Sequence, residues 1–147
     1  MTTSAEMLDL IAAAWRNWLA AIEGLPAGRV DEPGVCGDWS VKDLVPHMAL
    51  WDLQALEDID RHLAGLPGRS NDWQRMNDDS VRLHRTGIYR LQLVDMHDAH
   101  RRMIAAVRDL DGAATPIDPE LVADDTWDHY PEHTAHVRAW RAAGGLG

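Results

Sequence analysis

The periodicity of the apolar residues constrains the fold of this chain more than any other feature of its sequence. Along most of the 147 residues, large apolar side chains recur at steps of three and four positions, as in Ile11, Trp15, Trp18 and Ile22. This spacing places side chains on one face of an α-helix, whereas a half-buried strand requires strict alternation of apolar and polar residues. We find no convincing alternating segment, so the sequence predicts an all-α fold.

Capping and turn residues divide the chain into four predicted helices. Thr3 with Glu6, and Ser40 with Asp43, have the spacing of a capping box at the start of a helix. The predicted helices cover residues 4–24, 40–66, 71–110 with a weak point at Thr86-Gly87, and 120–142, the last either capped at Thr126 or kinked at Pro131. The length suits one domain, and we predict a single four-helix bundle over residues 1–147.

The third predicted helix carries an apolar stripe that we expect to face the core. Its members are spaced by three to five positions and end just before Asp111-Gly112; they are Leu91, Val94, Ala99, Ile104, Val107 and Leu110.

The charge and the cysteine content exclude several classes of function. The 24 acidic and 14 basic residues give a net charge of −10, which repels nucleic-acid phosphates and anionic membranes. Cys36 is the only cysteine, which excludes an internal disulfide and a cysteine-rich zinc site. The longest apolar run, residues 10–15, is too short to cross a bilayer, and the N-terminus has no basic segment of a signal peptide. We therefore expect a cytoplasmic protein that acts on a small molecule, with no nucleic-acid or membrane partner.

A histidine-rich segment near the C-terminus is the strongest candidate for a functional site. His129 and His133 are four residues apart, so on a helix they point the same way and could bind one metal ion. His47 lies on the apolar face of the second helix and could supply a third nitrogen if both helices begin at the same end of the bundle. Three imidazoles would leave an open coordination position, as in catalytic sites. We expect zinc or nickel, although iron and copper also accept nitrogen ligands.

Acidic and aromatic neighbours could complete such a site. Asp43, Asp128 and Glu132 could accept hydrogen bonds from the ligand histidines and so orient them, and Trp51 could line the pocket. Simpler interpretations exist for each feature. A histidine pair at this spacing is more often exposed or structural, a lone His47 is more often a core residue, and Asp43 is at least as suited to capping.

The sequence gives little reason to assign a function to the other potentially reactive residues. His97 and His100 are three positions apart with no third ligand in view, so we expect them on a solvated face. We expect Cys36 to be partly buried and inert, because no charged activator is near it in the sequence.

Two segments resemble the DinB-like (DinB/YfiT) superfamily of four-helix metalloproteins. The run Trp39-Ser40-Val41-Lys42-Asp43-Leu44-Val45-Pro46-His47, followed by Trp51, is similar to its second-helix signature. The run His129-Tyr130-Pro131-Glu132-His133 is similar to its last-helix histidine pair. Cys36-Gly37-Asp38-Trp39 is closer to the branch that includes the N-terminal domain of mycothiol-dependent maleylpyruvate isomerases.

The resemblance implies a four-helix bundle, often dimeric, with a divalent metal held by His47, His129 and His133. A shifted alignment would use Glu132 and His136 as the last pair instead. Members of the superfamily include hydrolases and transferases that use mycothiol or another low-molecular-weight thiol. The isomerases carry a second, C-terminal domain that this sequence does not include, so the resemblance does not imply isomerisation of maleylpyruvate.

Three functional hypotheses remain at this stage. The first is a divalent-metal-dependent enzyme, either a thiol-dependent S-transferase or a hydrolase, that acts on a small electrophile. The second is a non-catalytic protein of the same fold that binds or sequesters a small molecule or a metal. The third is a structural homodimer whose histidine cluster is vestigial.

Overall fold

The structure, a computed structural model, describes residues 2–113 and 116–146. Over these residues the chain forms helices and no strand, which confirms the predicted all-α fold. The helices are α1 Ser4–Ile22, α2 Val41–Leu63, α3 Trp73–His84, α4 Tyr89–Asp109, α5 Glu120–Ala123 and α6 Tyr130–Ala143. The four long helices α1, α2, α4 and α6 form the bundle, while α3 and the single turn α5 pack against α2.

Both predicted capping boxes are present. The Thr3 hydroxyl accepts a hydrogen bond from the Glu6 amide at 3.1 Å, and the Glu6 carboxylate accepts one from the Thr3 amide at 2.7 Å. The Ser40 hydroxyl and the Asp43 carboxylate exchange the same pair of bonds at 3.1 and 3.0 Å. These bonds satisfy amides that have no partner within the helix, so they fix where α1 and α2 begin.

The core lies between the apolar faces of the long helices. The stripe predicted for α1 is buried, and Trp18 has no exposed surface. The Trp18 indole Nε1 donates to Sδ of Met96 on α4 at 3.4 Å, which gives this buried donor a partner. Burial of each large apolar side chain contributes about 1.5–3 kcal/mol, so helix packing is the main source of stability.

The third predicted helix is two helices, with residues 85–88 between α3 and α4. The break falls at the predicted weak point. Residue 87 has to be small here, because a Cβ on Gly87 would lie only 2.5 Å from Nε2 of Gln92. The backbone of Ile88 is extended, so the helix does not continue through it.

The core-facing stripe predicted for α4 is wrong in its first half. Leu91 and Val94 are 47% and 56% exposed. The buried face includes the predicted Ala99, together with Met96 and Met103, which were not in the predicted stripe. The rotation of α4 is set by its packing against α2 and α1, which turns Leu91 and Val94 towards solvent.

The predicted start of the last helix is also wrong. After α5, residues 124–129 form turns, and α6 begins at Tyr130. Pro131 therefore lies in the first helical turn, where its missing N–H breaks no helix bond. Thr126 is not a cap, because its buried hydroxyl donates to the Val122 carbonyl at 2.6 Å. Residues 114–115 of the loop before α5 lie outside the described part of the chain.

The connection between α1 and α2 runs along α6 from its C-terminal end towards its start. Trp140 donates to Glu32 at 3.3 Å, and the Lys42 amide donates to the Val30 carbonyl at 2.9 Å. Arg141 donates to carbonyls at the end of α1, those of Ala21 and Glu23. The starts of α2 and α6 lie together at one end of the bundle, where His47 of α2 meets His133 of α6. Within the described residues, no helix is long and apolar enough to span a membrane.

Candidate metal centre

Three imidazole rings meet where α2 and α6 begin. His47 lies near the start of α2, His129 immediately precedes α6, and His133 lies one turn later. The Nε2 atom of His47 is 3.0 Å from Nε2 of His129 and 3.1 Å from Nε2 of His133, and the last two are 3.0 Å apart. His47 and His133 are only 4% and 5% exposed, and His129 is half-buried.

Hydrogen bonds alone do not satisfy this triangle of nitrogens. A neutral ring nitrogen either carries a proton and donates, or carries a lone pair and accepts. With three nitrogens in mutual contact, at least one contact must therefore join two donors or two acceptors. A cation that accepts all three lone pairs removes the conflict.

The spacing of the nitrogens fits a transition-metal ion. A triangle with sides near 3 Å has corners about 1.8 Å from its centre, so an ion about 2.0–2.1 Å from each nitrogen fits just outside the plane. Among the described residues, this trio is one of two groups whose ligand atoms are close enough to hold a metal.

Burial keeps the three rings in the form that binds metal. It lowers the pKa of His47 to about 2 and that of His133 to about 3, and the neighbouring histidines add to both shifts. Burial also lowers the pKa of His129, against the opposing effect of the Glu132 carboxylate. Neutral imidazoles have a free lone pair at pH 7, so no proton has to leave before a metal binds.

The ring nitrogens that face away from the triangle differ in their partners. Nδ1 of His133 lies 3.3 Å from Nδ1 of His136, so a hydrogen bond between them can hold the His133 ring in place. Nδ1 of His47 and Nδ1 of His129 are buried, and within the described residues neither has a hydrogen bond of normal geometry. Asn77 lies near His47 and the Asp125 backbone near His129, and each opposes the lowering of the pKa of its neighbouring ring.

Among the described residues, none of the acidic residues considered from the sequence accepts a hydrogen bond from the three histidines, although the Glu132 carboxylate acts on the pKa of His129 at longer range. Asp43 caps α2 and forms an ion pair with Arg85, with Oδ2 and Nη2 3.1 Å apart. Asp128 and Glu132 are exposed, and no hydrogen bond from either to the three histidines is found in the described part of the chain. The structure thus brings His129 and His133 to His47, rather than Glu132 and His136.

Two tryptophans line the cluster. Trp39 and Trp51 both pack edge-on against His47, with ring centroids 5.0 and 6.4 Å away. The Trp51 indole donates to Oδ1 of Asn77 on α3 at 2.8 Å, which fixes its orientation. Trp51 lies beside His47, where the sequence analysis placed it, and Trp39 lines a second side of the histidine cluster.

A buried polar network behind the cluster was missed in the sequence. Asp52 on α2 is 0% exposed, and its carboxylate accepts hydrogen bonds from Nδ1 of His100 at 2.8 Å and from the Tyr130 hydroxyl. His100 also stacks on Trp15, with ring centroids 3.8 Å apart. Burial raises the pKa of Asp52, while His100 and Tyr130 oppose the shift. The expectation of a solvated His100 is therefore wrong, whereas His97 is exposed as predicted.

Comparison with known proteins supports the fold described above. The family described as mycothiol maleylpyruvate isomerase N-terminal domain matches residues 11–138. The crystal structure of an uncharacterised protein from Escherichia coli UTI89 is similar, with a TM-score of 0.81, 17% sequence identity and coverage of 100% of this chain and 97% of that chain. At this identity the likeness shows the fold alone. A search among curated proteins finds no match.

Proposed function

The chain belongs to the mycothiol maleylpyruvate isomerase N-terminal domain family, and from this premise we propose that it is a metal-dependent enzyme that transfers a low-molecular-weight thiol to a small electrophile. The family membership confirms the resemblance seen in the sequence. The name of the family supports a thiol of the mycothiol type. The observation that carries the proposal is the triangle of Nε2 atoms from His47, His129 and His133.

In this proposal the three histidines hold a divalent transition metal, with zinc or nickel as the best candidates. When bound, such an ion lowers the pKa of a thiol or water in its open position, so that the anion forms near neutral pH. Because all three protein ligands are neutral, they cancel none of the positive charge of the ion, and an anionic thiolate is favoured.

The role of the protein residues is to hold this geometry and to limit the access of water. The helices α2 and α6 fix the three rings at their common end, so little reorganisation is needed on binding. Trp39 and Trp51 cover two sides of His47. Their apolar surfaces exclude water, and electrostatic attraction is stronger where the local dielectric is low.

A cavity next to Trp39 is where we place the electrophile. Its volume is about 440 Å³, which suits a small molecule rather than a macromolecule. It is lined by Trp39, Asp78, Val81, Arg82, Arg85 and Thr86. The shared Trp39 would hold the electrophile close to the histidine cluster.

The test is thiol conjugation by zinc- or nickel-loaded protein. We would follow the reaction of 1-chloro-2,4-dinitrobenzene with mycothiol, and with glutathione for comparison. The His47→Ala variant removes one corner of the triangle. The His84→Ala variant is the matched control, because His84 is exposed, lies outside the histidine triangle, and has its Nδ1 2.8 Å from the Ser80 carbonyl of its own helix.

We expect thiol-dependent turnover in the wild type and in His84→Ala, and only the uncatalysed rate in His47→Ala. Equal rates in wild type and His47→Ala with both thiols would refute thiol transfer. Tight binding of mycothiol without turnover would instead support the non-catalytic binding protein.

A further inference from the structure

A second group of potential metal ligands lies beside the histidine triangle. Sγ of Cys36, one ring nitrogen of His133 and one of His136 all lie within 4.8 Å of one another. His133 belongs to both groups. Its Nε2 faces His47 and His129, and its Nδ1 lies 3.3 Å from Nδ1 of His136.

The loop that carries Cys36 is held in place. The Trp39 amide donates to the Cys36 carbonyl at 2.9 Å, and the Cys36 amide donates to the Trp39 carbonyl at 3.3 Å. Gly37 within this turn has a φ of 57°, a left-handed conformation that favours glycine. Since Trp39 packs against His47, the same turn supplies a wall of the first site and the sulfur of the second group.

The donor set of the second group matches the preferences of borderline transition metals. One thiolate and two imidazoles are ligands that zinc and cobalt accept, often with tetrahedral geometry. In that geometry two nitrogens bound at about 2.0–2.1 Å lie about 3.3 Å apart, which is the observed Nδ1–Nδ1 distance of His133 and His136. A sulfur would need to lie about 3.6 Å from each nitrogen. Sγ of Cys36 lies within 4.8 Å of one ring nitrogen of each histidine, so it has to approach by about 1.2 Å at most.

The surroundings of Cys36 argue against a role as a free nucleophile. The side chain is half-buried, burial raises the pKa of its thiol, and the Glu132 carboxylate adds to the shift. A metal ion deprotonates a thiol that coordinates it.

We propose that Cys36, His133 and His136 form a second site for a transition-metal ion, which shares His133 with the first. Binding releases the thiol proton of Cys36. With only the second site filled, His133 keeps its remaining ring proton on Nε2. With both sites filled it loses that proton as well and bridges the two ions as an imidazolate. The second site does not depend on the proposed enzymatic function.

Cobalt(II) absorption tests this proposal without any activity assay. A cobalt–thiolate bond gives a charge-transfer band in the near ultraviolet, whereas cobalt on imidazoles alone gives only the weaker visible bands. Untagged wild type would be titrated with cobalt(II) alongside His47→Ala, Cys36→Ser, His136→Ala and the exposed-residue control His84→Ala. Far-ultraviolet circular dichroism would check that each variant keeps its helices.

We expect the charge-transfer band in the wild type, His84→Ala and His47→Ala, and its loss in both Cys36→Ser and His136→Ala. A wild type without the band would overturn the proposal. So would a band that disappears in His47→Ala but persists in His136→Ala, because Cys36 would then be a fourth ligand of the first site. Failure of the proposed function would show separately, as a lack of thiol turnover with the cobalt spectra unchanged.

Discussion

Replacement of Tyr130 by phenylalanine tests how far the buried network around Asp52 stabilises the bundle. The Tyr130 ring is fully buried, and its hydroxyl donates to the Asp52 carboxylate. Phenylalanine keeps the ring and its packing, so the change removes only one hydrogen bond. Asp52 is fully buried, and among the described residues its carboxylate then keeps the bond from His100 alone.

The expected loss is therefore that of a hydrogen bond to a buried acceptor, about 1–3 kcal/mol. For a domain of this size, that corresponds to a fall in Tm of about 3–9 °C. Urea unfolding followed by far-ultraviolet circular dichroism would give the free energy of unfolding. Tyr89→Phe, which removes a hydroxyl outside this network, is the matched control.

A double-mutant cycle separates the hydrogen bond from other effects of the substitution. In an Asp52→Leu background the Tyr130 hydroxyl has lost its acceptor, so Tyr130→Phe should then be neutral or stabilising. The reasoning fails if Tyr130→Phe costs less than about 0.5 kcal/mol in the wild type, or if it costs the same in both backgrounds.

Four other substitutions test separate parts of the account by urea unfolding. Burial and acidic neighbours raise the pKa of Asp125 to about 7. In the unfolded chain this carboxyl group ionises at lower pH, so the free energy of unfolding falls as pH rises towards 7. Asp125→Asn should then be more stable than wild type at pH 8, by up to about 4 kcal/mol, and gain nothing at pH 3. Ser40→Ala removes the cap of α2 and should cost about 1 kcal/mol. Met96→Ala should cost about 2–5 kcal/mol, whereas the exposed Leu91→Ala should change stability by less than about 0.5 kcal/mol.

The parts of the fold that depend on local signals could be predicted from the sequence. The starts of α1 and α2 are fixed by side chains three residues apart, and both capping boxes are present. The break between α3 and α4 was also visible, as Thr86-Gly87. Features set by tertiary packing were harder to predict from the sequence, and the buried face of α4 is the clearest example. Its rotation is fixed by contacts with α1 and α2 rather than by its own apolar residues.

The start of α6 shows why a wrong boundary left the site intact. We expected the helix to include His129, which instead immediately precedes it. The backbone of His129 is nevertheless close to helical, with φ −88° and ψ −47°. The four-residue spacing therefore still directs His129 and His133 to the same side.

The network of Asp52 and His100 left a signal that the sequence analysis did not use. On α2 the buried residues Met48, Asp52, Ala55 and Ile59 follow one another at steps of four, three and four. A carboxylate at a core position of an apolar stripe needs a partner, because an unpaired buried charge is strongly unfavourable. His100 occupies the corresponding position between the buried Met96 and Met103 of α4. The approach of Cys36 to His133 left no such pattern, since it depends on the path of the loop before α2.

The metal content of untagged protein tests the central claim most directly. Inductively coupled plasma mass spectrometry would be applied to Cys36→Ser, which removes the proposed second site, and to the same protein with His47→Ala or His133→Ala added. The account predicts close to one zinc or nickel ion per chain in Cys36→Ser and its loss in both double variants. A Cys36→Ser protein that binds no metal, even after addition of zinc or nickel and dialysis, would contradict the three-histidine site.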